Sequence, residues 1–263
     1  MKETGTNDGI IRYLNTITRL QIAVIETQLD TLGEVAGKMA KIISQDGRIF
    51  LFGTGHSHIL TEEAFYRAGG IPATVPMFAP MILMVHESAR LSSQMERMKE
   101  LATPILDEYE PQAGEMLIVY ADSGSNELPV QMAIEAKERG LIVVGVCSFK
   151  YAKIAPETVV GMRLYEVVDY AIDNHGTPGD ALIDVEGYPW RVAPSSTIAG
   201  ATIWNCLLTE AIFRLREQVD DLPVIASFNM KGAAAHNEAI LEKWNKINPH
   251  LPNRNIKISN PEN

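Results

Sequence analysis

The chain has 263 residues, 46% of them hydrophobic, and a net charge of −10 from 23 lysines and arginines against 33 carboxylates. That length and composition suit one sizeable core in a single large α/β domain. The acidic balance argues against a phosphate-tracking nucleic-acid surface or an anionic membrane as partner, so any anion must be bound locally, against the overall field.

The opening segment, MKETGTNDGI, lacks the apolar core of a signal peptide. No stretch reaches about 18 uncharged apolar residues. Cys147 and Cys206 both lie in apolar patterns and read as buried thiols, the usage of a reducing compartment. A cytoplasmic protein is expected.

From Ile22 the apolar residues Ile25, Leu29, Leu32, Ala36, Met39 and Ile43 mark one stripe of a long helix. Gly33 and Gly37 each lower its intrinsic helicity by about 1 kcal/mol relative to alanine, so packing against its own sheet or a second subunit must hold it. Arg48 to Phe52 reads as a short buried strand, Ser57 to Ala68 as a helix stopped by Gly69-Gly70, and Ile71 to Met77 as a strand that Pro72 and Pro76 confine to an edge. Ser88 to Ala102 reads as helix. EMLIVYA (Glu115 to Ala121) is a second buried strand; a turn DSGSN and a helix to Arg139 follow, and LIVVGVCSF is another strand. Strands this apolar on both faces, alternating with helices, imply a parallel sheet covered on both sides.

Between Lys150 and Pro194 the pattern loosens into two apolar runs, Val167 to Ile172 and Ala181 to Val185, which read as a last sheet strand and an inserted excursion. Thr197 to Arg216 is a strongly apolar helix and Ala233 to Lys246 the final one. The segment 247–263 reads as a poorly ordered tail behind one domain, 1–246.

In such a sheet, ligands bind beyond the carboxyl ends of the strands, where loops lead into helix N-termini. Three loops qualify: GTGHSH after the first strand, DSGSN after EMLIVYA, and APSST before the helix at Thr197. The first is not a dinucleotide fingerprint, because His58 stands where the third glycine of G-x-G-x-x-G belongs, and no lysine completes a P-loop. His56 and His58 have no companions at metal-ligand spacing, so no metal is expected. Any one of these loops could be an ordinary helix cap. Together, Thr54, His56 and Ser57, then Ser123, Ser125 and Asn126, then Ser195, Ser196 and Thr197 suggest one convergent polar pocket for a small phosphorylated ligand.

These loops, in this order and spacing, resemble the sugar isomerase (SIS) domain family, and more narrowly the single-SIS proteins of the UPF0309 group. Ser123-Gly124 match the S-G of that family's S-x-S-G-x-T motif; Ala121 replaces its first serine and Asn126 its threonine. The resemblance runs from about Ile10 to Lys246. It implies a flavodoxin-like three-layer sandwich with a mainly parallel five-stranded sheet, a homodimer or homotetramer, no cofactor, and a phosphosugar ligand near Gly53, Thr54, Gly55, His56, Ser57, Ser123, Gly124, Ser125, Asn126, Ser195, Ser196 and Thr197.

The family's activities include aldose–ketose isomerisation, lyase and deglycase reactions, and non-catalytic sugar-phosphate sensing. An isomerase needs an acid–base pair. The residues offered by the sequence are Glu62 and Glu63 one turn beyond the first loop, Glu210 within NCLLTEAIF, and His236 near the start of the last helix, with Glu238 close by. The helix after the third loop carries Ala199-Gly200 where phosphoheptose isomerases of the family have a Gln-Glu pair, and no histidine, which disfavours heptose isomerisation. The acidic chain lacks a basic recognition helix, which places the enzyme reading ahead of a regulatory sensor.

Overall fold

A computed structural model describes residues 7–79 and 88–252. At its centre five strands, β1 (Ile49–Gly53), β2 (Thr74–Pro76), β3 (Met116–Tyr120), β4 (Ile142–Cys147) and β5 (Tyr170–Asp173), form an all-parallel sheet in the order β2-β1-β3-β4-β5. This is the flavodoxin-like order, and its reversal point lies between β1 and β3.

Successive strand residues feed opposite faces. Ile49, Leu51, Met116, Ile118 and Tyr120 join a core built with α1 (Asp8–Ser44), α2 (Ile59–Ala64), α8 (Ser196–Leu215) and α9 (Ala233–Trp244). Phe50, Phe52, Leu117 and Val119 join a second core under α4 (Ala102–Tyr109), α5 (Glu127–Glu138) and α7 (Leu164–Val167). Burial on both faces is why these strands carry unbroken apolar runs rather than alternating ones. Short α3 (Ala89–Met95) and α6 (Phe149–Ile154) close the carboxyl edge. The excursion after β5 is a two-stranded antiparallel hairpin of β6 (Ala181–Ile183) and β7 (Val192–Pro194).

Several elements differ from the sequence reading. The first helix starts at Asp8, ahead of the stripe read from Ile22; its leading turns are mostly exposed, and only Ile17 and Leu20 among them are buried. The helix expected over 57–68 is a 3-10 turn (Gly55–His58) followed by α2, which ends when Phe65 turns extended. The helix expected over 88–102 breaks after Met95 and resumes as α4. Cys206 is half-buried, unlike Cys147. Packing continues past 246, where a tail was expected: Asn248 Nδ2 donates to the carbonyls of Pro72 and Thr74, each at 2.8 Å, and Leu251 is buried. Residues 253–263 lie outside the described residues.

The glycines of α1 have a spatial cause. A Cβ on Gly37 would lie 2.6 Å from Arg214 Nη1 of α8, so the two glycines leave room for a guanidinium that Glu210 holds at 2.6 Å.

Candidate functional site

Where the sheet order reverses, the loops after β1 and β3 open into one cavity of about 750 Å³. Two glycines shape the first loop. Gly55 is left-handed (φ 55), and a Cβ on Gly53 would lie 2.6 Å from the Ser57 carbonyl oxygen, a backbone atom that cannot step aside. The loop then presents His56 and Ser57 to the cavity while Thr54 Oγ1 donates to Glu96 Oε2 at 3.1 Å.

The second loop turns at Gly124 (φ 59), where a Cβ would crowd Ala152 Cβ at 3.0 Å and Cys147 Sγ at 3.2 Å. Ser125 Oγ donates to Ser123 Oγ at 3.2 Å just before α5 begins. An α-helix leaves its first N–H groups without intrahelical acceptors, and they favour an anion. Asn126 precedes α5 without capping it by its side chain.

Asp122 is the residue this loop adds to what the sequence suggested. Its Oδ1 accepts from Asn174 Nδ2 at 2.8 Å, and its carbonyl accepts from Ser148 N at 2.9 Å. Its Oδ2 is enclosed and has no hydrogen-bond partner; the same holds for Thr158 Oγ1, which also lines the cavity. Burial pushes the Asp122 carboxyl up to about 7, with the charges of Asp180 and Asp173 adding to the rise and the Asn174 bond opposing it. Glu96, at the end of α3, is also raised by burial, against hydrogen bonds from Thr54 and Asn126 and the charge of Arg97.

The third loop is built differently. Asp180, just ahead of β6, accepts from Ser195 N, Ser195 Oγ and Ser196 N through Oδ1 at 2.9, 2.9 and 2.8 Å, and from Ser196 Oγ through Oδ2 at 2.6 Å. The start of α8 therefore already holds a carboxylate from its own chain.

Of the residues singled out in the sequence, Thr54, Gly55, His56, Ser57, Ser123, Ser125, Asn126 and Ser196 line the cavity. Gly53 and Gly124 form the turns behind it, Ser195 is buried beneath Asp180, and Thr197 is half-buried in the first turn of α8. The four acid–base residues lie elsewhere. Glu62 faces His58 Nε2 at 3.4 Å, Glu63 pairs with Arg67, and Glu210 pairs with Arg214 along a larger, mostly apolar groove between α1 and α8. His236 Nε2 lies 2.9 Å from the Val224 carbonyl oxygen in a third hollow beside Trp244. Among the described residues no cluster of His, Cys, Asp and Glu could hold a metal ion, and no helix is long and apolar enough to cross a membrane.

An open parallel sheet with a polar cavity at its switch point is the architecture of the doubly wound α/β class. The SIS domain model matches residues 12–148, and the chain belongs to that family. Within it the chain belongs to the UPF0309 group. It is 40% identical to a UPF0309 protein of Halalkalibacterium halodurans over 92% of this chain and 97% of the relative. It is 37% identical to one of Geobacillus thermodenitrificans over the same shares. The fold is also similar to a phosphoheptose isomerase from Francisella tularensis, with a TM-score of 0.53 at 11% identity over 79% of this chain and 98% of that one.

Proposed function

We propose that the chain binds a phosphorylated sugar in the cavity at the β1/β3 switch point and acts on it as an aldose–ketose isomerase or a related lyase or deglycase. The carrying observation is Asp122, whose enclosed and unpartnered Oδ2 lies beside the serine turn at the start of α5. In this reading the hydroxyls of Ser57, Ser123 and Ser125 and the N–H of Glu127 take the phosphate, since Leu128 N already donates to the Glu96 carbonyl at 3.0 Å and Pro129 has no N–H. The sugar then extends toward Asp122 and Glu96.

Isomerisation moves one proton between C1 and C2 through an enediol: the base takes it from one carbon as the C=C bond forms, and the acid form returns it to the other. A carboxyl held at about 7 is half-ionised at neutral pH, so Asp122 can take and return that proton. Glu96, on the facing loop, is positioned to serve the sugar hydroxyls. The proposal moves proton chemistry away from Glu62, Glu63, Glu210 and His236 because their side chains are outside this cavity, Glu63 and Glu210 are held by Arg67 and Arg214, and Glu62 faces His58.

A homodimer or homotetramer belongs to the same proposal. Ile10, Leu14, Ile22 and Leu29 of α1 and Phe213 of α8 are exposed, and a second copy would cover them. Light scattering showing a monomer at micromolar concentration would contradict this part.

The test of the central reading is a thermal-shift series of hexose phosphates, each beside its unphosphorylated sugar, followed by turnover assays on any stabilising compound. Phosphate-dependent stabilisation is expected, with Asp122→Asn lowering turnover by about 100-fold or more. Absence of any shift would refute the reading.

A further inference from the structure

The cavity is poor in positive charge for a seat that takes phosphate. Its lining carries Glu96, Asp122, Glu127, Glu157 and Asp180 against a single guanidinium, Arg97, and no lysine. Asp180 is consumed by its four hydrogen bonds at the start of α8. Glu96 stands apart from it, because its side chain keeps 15% of its surface exposed and is within reach of a ligand.

Glu96 ends α3 and grips both cavity loops at once. Its carbonyl accepts from Leu128 N, the second N–H of α5, at 3.0 Å. Its Oε2 accepts from Thr54 Oγ1 at 3.1 Å in the loop after β1, and the side chain of Asn126, in the loop after β3, donates to the same carboxylate. Arg97 Nη1 lies 3.8 Å from Oε1. These partners favour the ionised form against the burial that opposes it. The chain thus sets its own carboxylate on donors, one from each loop, that an incoming anion would otherwise use. A bare oxyanion must enter against like charge, which is how a site rejects a wrong partner. A sugar hydroxyl instead donates to a carboxylate in a charge-assisted hydrogen bond.

We infer that Glu96 is the specificity-determining residue of the cavity: its carboxylate turns away bare divalent oxyanions and accepts a hydroxyl from a ligand that carries its phosphate as a sugar ester. The inference rests on the phosphosugar reading above and goes beyond it by naming the residue that excludes free phosphate.

The experiment is calorimetric titration of the full chain, at about pH 7.5 and about 0.1 M salt, with sulfate, inorganic phosphate, glucose 6-phosphate and fructose 6-phosphate, repeated on Glu96→Gln and Glu96→Ala. Glutamine keeps the shape and an acceptor for Thr54 without the charge; alanine removes both. The wild-type chain should bind at least one ester about tenfold or more tightly than either bare anion. In Glu96→Gln the bare anions should gain about tenfold, and in both variants the ratio of ester to anion affinity should shrink toward one. That ratio separates selectivity from folding, because a merely structural defect weakens all of these ligands alike.

Bare anions that bind the wild-type chain as tightly as the esters would overturn the inference while leaving the phosphosugar reading intact. A ratio unchanged in both variants would overturn the role given to Glu96. If neither ester binds any of the proteins while sulfate gains affinity in Glu96→Gln, the phosphosugar reading falls and exclusion by Glu96 is upheld. If nothing binds, both fall. The wild-type comparison decides even if neither variant folds.

Discussion

At the carboxyl edge of the sheet, α5 and α8 both begin behind a pair of serines, and the two starts are completed in opposite ways. At α8, Ser195 and Ser196 give their hydroxyls and N–H groups to Asp180, so the anion favoured by a helix N-terminus is internal and permanent. At α5, Ser125 donates only to Ser123, Asn126 does not cap the helix by its side chain, and the turn faces a cavity. A serine-rich turn ahead of a helix is thus a structural cap where the chain brings its own carboxylate; at α5 the chain supplies only the Glu96 carbonyl, to Leu128 N, and the serine hydroxyls are what the proposed reading gives to a ligand.

The contrast makes predictions of decreasing size. The largest concerns Asp122 and pH. Its folded-state carboxyl sits at about 7 against a usual value of 3.8, so between about pH 4 and pH 7 the folded chain holds a proton that the unfolded chain has released. Unfolding then releases that proton, and stability falls as pH rises through that window, by at most about 4 kcal/mol. Urea melts of wild type and Asp122→Asn should diverge over this range, with the variant the more stable at about pH 8. A constant difference between them would contradict the burial of a carboxylate with one unpartnered oxygen.

Breaking the internal cap comes next. Asp180→Ala leaves the donors at the start of α8 without their acceptor and should cost about 2–3 kcal/mol in denaturant midpoint analysis. Ser123→Ala should cost less than about 1 kcal/mol of stability, because the main chain gives it only one long bond, from Ser125 N at 3.5 Å, while weakening phosphosugar binding about tenfold. If Ser123→Ala proved the more destabilising of the two, the roles given to the helix starts would be reversed. Smallest is Glu210→Gln, which removes an exposed pair four residues apart on α8; a stability change within about 0.5 kcal/mol is expected, and turnover should not change.

The sheet was legible in the sequence because full burial writes itself as apolar runs, and Pro76 correctly limited β2 to an edge. The cavity loops were legible because Gly53 and Gly124 occupy turns where a side chain would collide and Gly55 takes a left-handed φ. Asp122 stands inside the quoted motif DSGSN, yet its meaning depends on Asn174 and Ser148, brought to it by β5 and β4. No local pattern distinguishes such an aspartate from an ordinary turn residue. Asp180 was hidden in the same way, by a hairpin that returns it to Ser195. Glu210 drew attention as a carboxylate among apolar neighbours, but its partner Arg214 fits against Gly33 and Gly37 of a distant helix, which only the packing shows.

The most direct test of the central claim is calorimetric titration of glucosamine 6-phosphate, beside glucosamine, into wild type and the Ser123→Ala/Ser125→Ala double variant. The account predicts saturable binding that requires the phosphate and is lost in the variant while its thermal melt stays cooperative. Binding of glucosamine as tight as that of its phosphate, or binding of the phosphate unchanged in the double variant, would contradict it.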